Sequence, residues 1–419
     1  MRLLNSTTHV QSPFIIIKMG NYTFGQYYRS KKSNIYGNVF EVNFPDVIKS
    51  MTVIKVNGTV NRYTIQMEYA VTETRDPNTM EKAFGTISSD RRITISYGDW
   101  NQPTFIYKEE EAMVTKVTTS VDFRGAKLNY TVEAVSTSMS LTSQLWNFGS
   151  KMAKPSQVII GLLKNKNYGL DKIFTGMRDI EAVIKNGLIP TDDRAVRIQS
   201  KVHINVLDYL SYLVGCMTSV DNSPDSLIHS SVYHMAIYDD ITNELNGTYF
   251  KIIKVPANLN IYTNMNVYEV DVGYPTDTFV TNFQLNTNDS WSLLYKYAGE
   301  NHSDYSYVMD NEGESYSTPV PEIMKSKLTQ EITEVNKNWW TEVTSFPVKA
   351  NLTITGLLRP AMLMEYVKIN SYFYGQRYIA SGMYLIIQQQ LKVELQNIIL
   401  VLTLVHILKI IKILKLHTL

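Results

Sequence analysis

Cysteine is almost missing. Cys216 is the only one in 419 residues, so the chain forms no disulfide within itself. An excess of charge is missing too: 40 Lys and Arg stand against 39 Asp and Glu, a net +1, which withholds the electrostatic footprint of a nucleic-acid binder. Long hydrophobic runs are absent, since a membrane span needs about 20 apolar residues. Phe14-Ile15-Ile16-Ile17 is too short for the core of a signal peptide. The run that opens at Ile398 contains His406 and is then dotted by Lys409, Lys412 and Lys415. It reads as a membrane-surface helix, as a buried strand followed by an amphipathic tail, or as an aberrant terminus. The eight Asn-x-Ser/Thr sequons are what an Asn- and Thr-rich chain produces by chance, and the lack of disulfides speaks against a secreted protein.

Catalytic motifs are equally scarce. There is no GxSxG, no P-loop and no GxGxxG; Gly20 to Gly25 has two of the glycines but neither the third nor a helix. His229 and His234 are five apart without the carboxylate of a zinc-binding helix, and read as ordinary histidines. Cys216 sits in an apolar helical stripe with no base beside it, which describes a packed thiol. The acidic neighbours Asp192-Asp193, Asp239-Asp240 and Glu109-Glu110-Glu111 read as solvated loops, because adjacent residues on a strand point to opposite faces. No residue is assigned a catalytic, cofactor-binding or metal-binding role, and no cofactor is expected.

What the chain does have is period. Over 14–145 the pattern is β: Val53 to Val60 and Tyr63 to Tyr69 alternate around Asn57-Gly58, a hairpin signal. Further strands are expected at Arg92 to Tyr97, Thr104 to Tyr107, Ala112 to Asp122 and Lys127 to Ser136, in a meander or barrel. The period changes over 146–220. Pro155-Ser156 opens one helix. Leu170, Ile173, Met177, Ile180 and Ile184 stripe a second that ends at Gly187, and Asn205 caps a third over Val206 to Met217. Strands resume at Tyr233 to Tyr238, Thr248 to Ile253, Val267 to Val272, Leu352 to Leu358, Met364 to Asn370 and Gly382 to Ile387, with 299–320 read as a long polar loop. The expected class is mainly β with a helical insert (α+β), with several barrel-like domains. Its divisions are 1–145 (N-terminal β-barrel), 146–220 (helical insert), 221–320 (second β domain with the polar loop), 321–397 (C-terminal β domain) and 398–419 (apolar, Lys-dotted tail).

Tyrosine occurs 28 times, which reflects either contact surface or codon usage. Beyond composition, three phrases carry a resemblance. Ala350 to Pro360 resembles the strand before the final barrel hairpin of the central hub proteins of phage tails, baseplates and related contractile injection systems. Ile379-Ala380-Ser381-Gly382-Met383-Tyr384-Leu385-Ile386-Ile387 is similar to that family's closing phrase, in which the glycine turns the chain into its last barrel strand. Val267 to Pro275 with Phe279 to Phe283 fits its strand-turn-strand middle portion. The likeness covers about 230–390, and 14–220 by element order alone; the apolar end after Gln390 departs from the polar return strand expected of the family. The resemblance implies a non-enzymatic virion structural protein of a bacteriophage, made in the host cytoplasm. It implies a homotrimeric ring at the tail tip or baseplate, around a channel for genome ejection or a tape-measure protein. Its partners would be tube, spike and tape-measure proteins, with non-specific DNA contact in transit and membrane contact of 398–419 as a lesser alternative. The rivals are a tail-associated cell-wall-degrading enzyme, which needs paired carboxylates, and a membrane-anchored viral surface protein.

Overall fold

Alternating apolar residues build one extended sheet. The computed structural model describes residues 13–20, 22–25, 46–71, 92–99, 102–217, 232–239, 245, 247–255, 268–272, 280–287, 305–309, 315–319, 348–355, 362–373, 376–377, 382–394 and 398–406. In chain order the first strands are β1 (Pro13–Met19), β2 (Tyr22–Gly25), β3 (Ile48–Val56), β4 (Arg62–Ala70), β5 (Arg92–Asp99), β6 (Gln102–Asp122) and β7 (Lys127–Ser136). In β4, Tyr63, Ile65, Met67 and Tyr69 are buried while Arg62, Thr64 and Gln66 face water, the period of two that a half-buried strand requires. The turn after β3 holds Gly58 at φ +70°, which glycine adopts without steric cost. The strands expected at Thr104 to Tyr107 and Ala112 to Asp122 are one long strand, β6, that absorbs register shifts against β5 and, between Val114 and Lys116, against β7.

The insert follows: β8 (Leu145–Phe148), β9 (Lys151–Ala153), α1 (Pro155–Lys164), α2 (Leu170–Ile173), α3 (Ile180–Lys185), β10 (Val196–Ile198), β11 (Lys201–Asn205) and α4 (Val206–Gly215). Pro155 stands in the first turn of α1, and the Asn205 side chain accepts from Asp208 N–H at 2.8 Å to cap α4. The single helix expected over 170–184 is instead broken into α2, a 3-10 turn at Thr175–Met177 and α3. The cause is tertiary. Gly176 N–H donates to Thr248 O at 3.0 Å, and the Asp179 carboxylate restarts the helix by accepting from Glu181 and Ala182 N–H. The stop lies at Gly187: its N–H bonds Ile184 O and Leu188 N–H bonds Val183 O, with Gly187 at φ +64°.

The remaining strands are β12 (Val232–Tyr238), β13 (Tyr249–Val255), β14 (Tyr268–Val272), β15 (Val280–Thr287), β16 (Tyr305–Met309), β17 (Ser315–Pro319), β18 (Val348–Thr355), β19 (Tyr366–Phe373), β20 (Gln376–Arg377), β21 (Gly382–Glu394) and β22 (Ile398–His406). The fold is mainly β with a helical insert. Fourteen strands join in one sheet of order β15-β18-β22-β21-β3-β4-β7-β6-β5-β1-β2, with β19 beside β21 and flanked by β14 and β20. The sheet curls until β1 approaches β21. Among the described residues the strand order ends at β15 and β2 and does not close, so the separate closed barrels expected from the sequence are not what these strands form.

Two expectations change here, and of the three readings of the run from Ile398 the buried strand is the one that 398–406 form. Within 299–320, read as a loop, β16 and β17 pair as a hairpin. Gly382 is a strand residue opposite Ile369 rather than a turn, and its strand is not the last. The apolar run from Ile398 is neither surface helix nor free tail over 398–406. Its buried Ile398, Leu400, Leu402 and Leu404 alternate along β22, which runs antiparallel between β18 and β21. A strand flanked on both sides is apolar because it lies inside the sheet. The end of the Ala350 to Pro360 phrase, Ile379 to Ser381 and the Lys-dotted end lie outside the described residues.

β21 is shared. Its first residues pair with β19 over Gly382 to Leu385, and its last with β3 over Gln388 to Glu394, along the same side, while β22 runs along the other. A register shift between Ile386 and Gln388 marks the change of partner. Two cores result, one under the sheet and one in the insert. The β12–β13 hairpin is the wall between them: Tyr233, Met235, Ile237, Phe250 and Ile252 face the insert core, while Ala236 faces the sheet core with Tyr238 and Ile253 against it.

Candidate functional site

The chemistry concentrates where that wall meets the sheet. The turn 57–61, between β3 and β4, is held from three directions. Asn57 N–H donates to Ile387 O of β21 at 2.9 Å, Gly58 N–H to Met235 O of β12 at 2.8 Å, and Ser211 Oγ of α4 to Gly58 O at 3.4 Å. Beneath it lies a closed polar network. Lys55 Nζ on β3 binds Glu110 Oε1 on β6, and Tyr97 OH donates to the same oxygen at 3.3 Å. The Tyr63 hydroxyl lies 2.9 Å from Glu110 Oε2 and 3.1 Å from Asp239 Oδ2, at the end of β12. Asn61 Nδ2 donates to Asp239 Oδ2 at 2.7 Å and Ser136 Oγ donates to its Oδ1 at 2.5 Å.

Strand alternation explains who is inside. Glu110 shares the inward face of β6 with Ala112 and Val114, and is 3% exposed. Its neighbours point out: Glu109 pairs with Lys18 at 2.8 Å and Glu111 with Arg92 at 3.2 Å. The solvated-loop reading of these acids therefore fails at Glu110, and it fails at Asp239, which is 1% exposed. It fails at Asp193 as well: this carboxylate is buried and holds the start of α1, accepting from Ser156 N–H at 2.9 Å and from Ser156 Oγ at 2.5 Å. Asp192 is exposed and pairs with Lys254 at 2.6 Å. A charged residue in an inward strand position was the available signal for Glu110; nothing local marked Lys55, Asn61 or Tyr63.

Burial sets the electrostatics. Desolvation pushes the Asp239 carboxyl up to about 6, against the hydrogen bonds from Ser136 and Asn61, and Glu110 adds to the rise. Burial, then the Glu110 and Asp239 carboxylates, lift the Tyr63 hydroxyl well above its usual range. Beside the network, His234 on β12 is half-buried and its Nδ1 lies 2.8 Å from Asn57 Nδ2; desolvation pushes the imidazole down to about 4.

The network joins five strands to the insert wall and is closed to solvent, so its paired carboxylates reach no substrate. A cavity under the sheet is lined by apolar side chains such as Ile17, Phe24, Met67 and Val132. Among the described residues no three His, Cys, Asp or Glu side chains gather as metal ligands, and no helix is long and apolar enough to cross a membrane. Of the histidines, His203 lies exposed in a strand irregularity and His406 in β22; His9, His229, His302 and His417 fall outside the described residues. Cys216, at the end of α4, is half-buried against the insert core.

No family model and no curated relative matches the chain. Solved structures do resemble it. The 43 kDa tail protein of prophage MuSo2 from Shewanella oneidensis overlays with a TM-score of 0.48 at 11% identity, over 94% of this chain and 98% of that one. A tail protein from Neisseria meningitidis MC58 overlays at 0.49 and 8% identity, over 94% and 97%. The E. coli c3393 protein overlays at 0.41 and 9% identity, over 87% and 74%; it is a type VI secretion component with structural similarity to the T4 bacteriophage tail proteins gp27 and gp5. At scores below 0.5 these overlays carry no functional weight.

Proposed function

We propose that the chain is a structural, non-enzymatic protein of a phage-like tail, carried in the virion at the tail tip or baseplate. The observation that carries this reading is the place of the Ser381-Gly382-Met383-Tyr384 phrase. Its described part opens β21, the one strand that pairs with both β3 and β19 and so binds the early and late halves of the sheet. A hub has to be one stiff body, and its most family-like segment sits where stiffness is made. In the finer reading three copies form a ring around a passage for genome or tape-measure protein, with tube and spike proteins attached and non-specific DNA contact in transit. The divisions at 145, 220, 320 and 397 mark the units of that hub. Closed rings protect strand edges and impose symmetry.

Gold labelling of purified particles with an antibody to the chain tests placement, and native mass spectrometry of the purified protein tests the ring. Label at the tail tip and a trimer are expected. Absence from particles would end the tail reading, and a monomer at every concentration would end the ring. A lytic band at 48.0 kDa in peptidoglycan zymography, lost on mutating one Asp or Glu, would restore the enzyme reading.

A further inference from the structure

β6 outruns its neighbour in the sheet. Its ladder with β5 ends at Met113, opposite Arg92. From there it continues to Asp122 paired, among the described strands, with β7 alone. The register shift between Val114 and Lys116 falls where β5 leaves. Beyond it, one edge of β6 presents a row of backbone N–H and C=O groups with no described strand against them. Every residue from Thr115 to Asp122 except Val117 is exposed. The run reads Thr115-Lys116-Val117-Thr118-Thr119-Ser120-Val121-Asp122, rich in the β-branched residues that suit a strand. Its far end is pinned, because Asp122 Oδ1 accepts from Arg124 N–H at 3.1 Å and from Gly125 N–H at 3.2 Å. Two apolar side chains stand in water there, Val121 at 49% and Phe123 at 89% exposure.

This edge is its own complement. In an antiparallel pair of two such edges centred on Thr119, Lys116 stands opposite Asp122, Val117 opposite Val121 and Thr118 opposite Ser120. Alternation sorts the faces: Lys116, Thr118, Ser120 and Asp122 lie on one, and Val117, Thr119 and Val121 on the other. The first face sets opposite charges across the seam twice. The second covers Val121 and prolongs the apolar face on which Val117 packs against the sheet core. Other registers lose this match. Centred on Thr118, the pair puts Asp122 against Val114; centred on Ser120, it puts Lys116 against Arg124. Within its own copy Lys116 has Glu133 of β7 at 3.6 Å, both side chains well exposed, so a second acid fits on its open side. A lysine on a strand edge ordinarily guards it against pairing. Here an acid six residues on matches the guard. We propose that the 115–122 edge of β6 joins two copies of this chain through an antiparallel β6–β6 ladder about Thr119. An unrelated extended peptide would answer the backbone groups without matching both charges, which favours a second copy. The contact is isologous, so it joins copies in pairs and differs from the heterologous contacts that close a ring of three.

The test places a thiol on the two-fold axis of the full chain, with Cys216→Ser removing the native one. Thr119→Cys sets two cysteines opposite each other at a Cα spacing of about 4.5–5.5 Å, which a disulfide spans. Thr118→Cys is as exposed on the same strand, but it faces Ser120 and lies out of disulfide reach of its own counterpart. Mild oxidation is expected to give a covalent dimer from Thr119→Cys and about tenfold less from Thr118→Cys. Lys116→Asp sets like charges across the seam and is expected to weaken pairing about tenfold in sedimentation velocity at low salt. Unchanged circular dichroism keeps misfolding from mimicking the effect. Equal crosslinking by the two cysteine variants, or parent-like pairing by Lys116→Asp, would overturn the contact. A parent found only as trimers would overturn it and leave the ring standing, whereas a parent monomeric at every concentration would overturn both.

Discussion

The sheet and the insert are built by opposite rules. In the sheet, local alternation decides the structure: β4, β7 and β22 bury every second residue, and backbone pairing does the rest. In the insert, local periodicity is overruled. The stripe from Leu170 to Ile184 is that of one amphipathic helix, yet a single backbone hydrogen bond from Gly176 to Thr248 breaks it in three. Close approach is the reason. A Cβ on Gly247 would lie 2.6 Å from Gly176 N, so two glycines let the hairpin wall touch the helix backbone. The sheet tolerates its environment, and the insert is shaped by it.

The sharpest way to break that contrast is to attack the network both regions share. Glu110→Gln leaves Lys55 buried without its counter-charge and is expected to lower unfolding free energy by about 3–5 kcal/mol. Urea unfolding followed by tryptophan fluorescence measures it; a loss under about 1 kcal/mol would mean the pair does not bind the two regions together.

Next in size is a pH effect of two signs. Asp239 has a raised folded pKa of about 6, so its contribution is fully present below about 4 and is lost as pH rises through 6. His234 has a depressed folded pKa of about 4, so its contribution is present above about 6.5 and is lost as pH falls toward 4. Each amounts to about 3 kcal/mol and they oppose between pH 4 and 6. Asp239→Asn uncovers the histidine: relative to this variant, the parent gains about 3 kcal/mol as pH falls from 6 to 4. Parallel stability curves for the two proteins would show that the carboxyl keeps its ordinary value.

Gly247→Ala tests the insert alone. Forcing a methyl into that backbone contact is expected to cost about 2–3 kcal/mol. Hydrogen exchange should rise in 155–215 while β3, β4 and β7 stay protected; loss of protection in all of them would make the two regions one cooperative unit. The smallest effect is Asn205→Ala. It removes the cap of α4 for about 1 kcal/mol, visible as a small loss of helical ellipticity on heating.

Legibility followed the same divide. The strands from Tyr63 to Tyr69 and Lys127 to Ser136, the cap at Asn205 and the stop at Gly187 could be read because neighbours in the chain determine them. The pairing of β3 with β21 could not, since nothing near Val53 names Leu391 as its partner. The acidic run at 109–111 looked solvated because two of its three members point outward, to Lys18 and Arg92; only the inward parity of β6 separates Glu110 from them. The junction was hidden for the same reason: Lys55, Tyr63, Glu110 and Asp239 come from four strands that only the fold brings together.

The position of β21 in the sheet also constrains how the protein is made. β3 and β4 leave the ribosome early, yet one edge of β3 finds its partner only when Gln388 to Glu394 have been synthesised. Until then the first strands are a half-finished sheet with a pairing-competent edge. Completing this sheet is therefore slow, governed by closure of a loop hundreds of residues long. Truncated products ending before β21 are expected to collect in aggregates or on chaperones instead of accumulating as a stable N-terminal fragment.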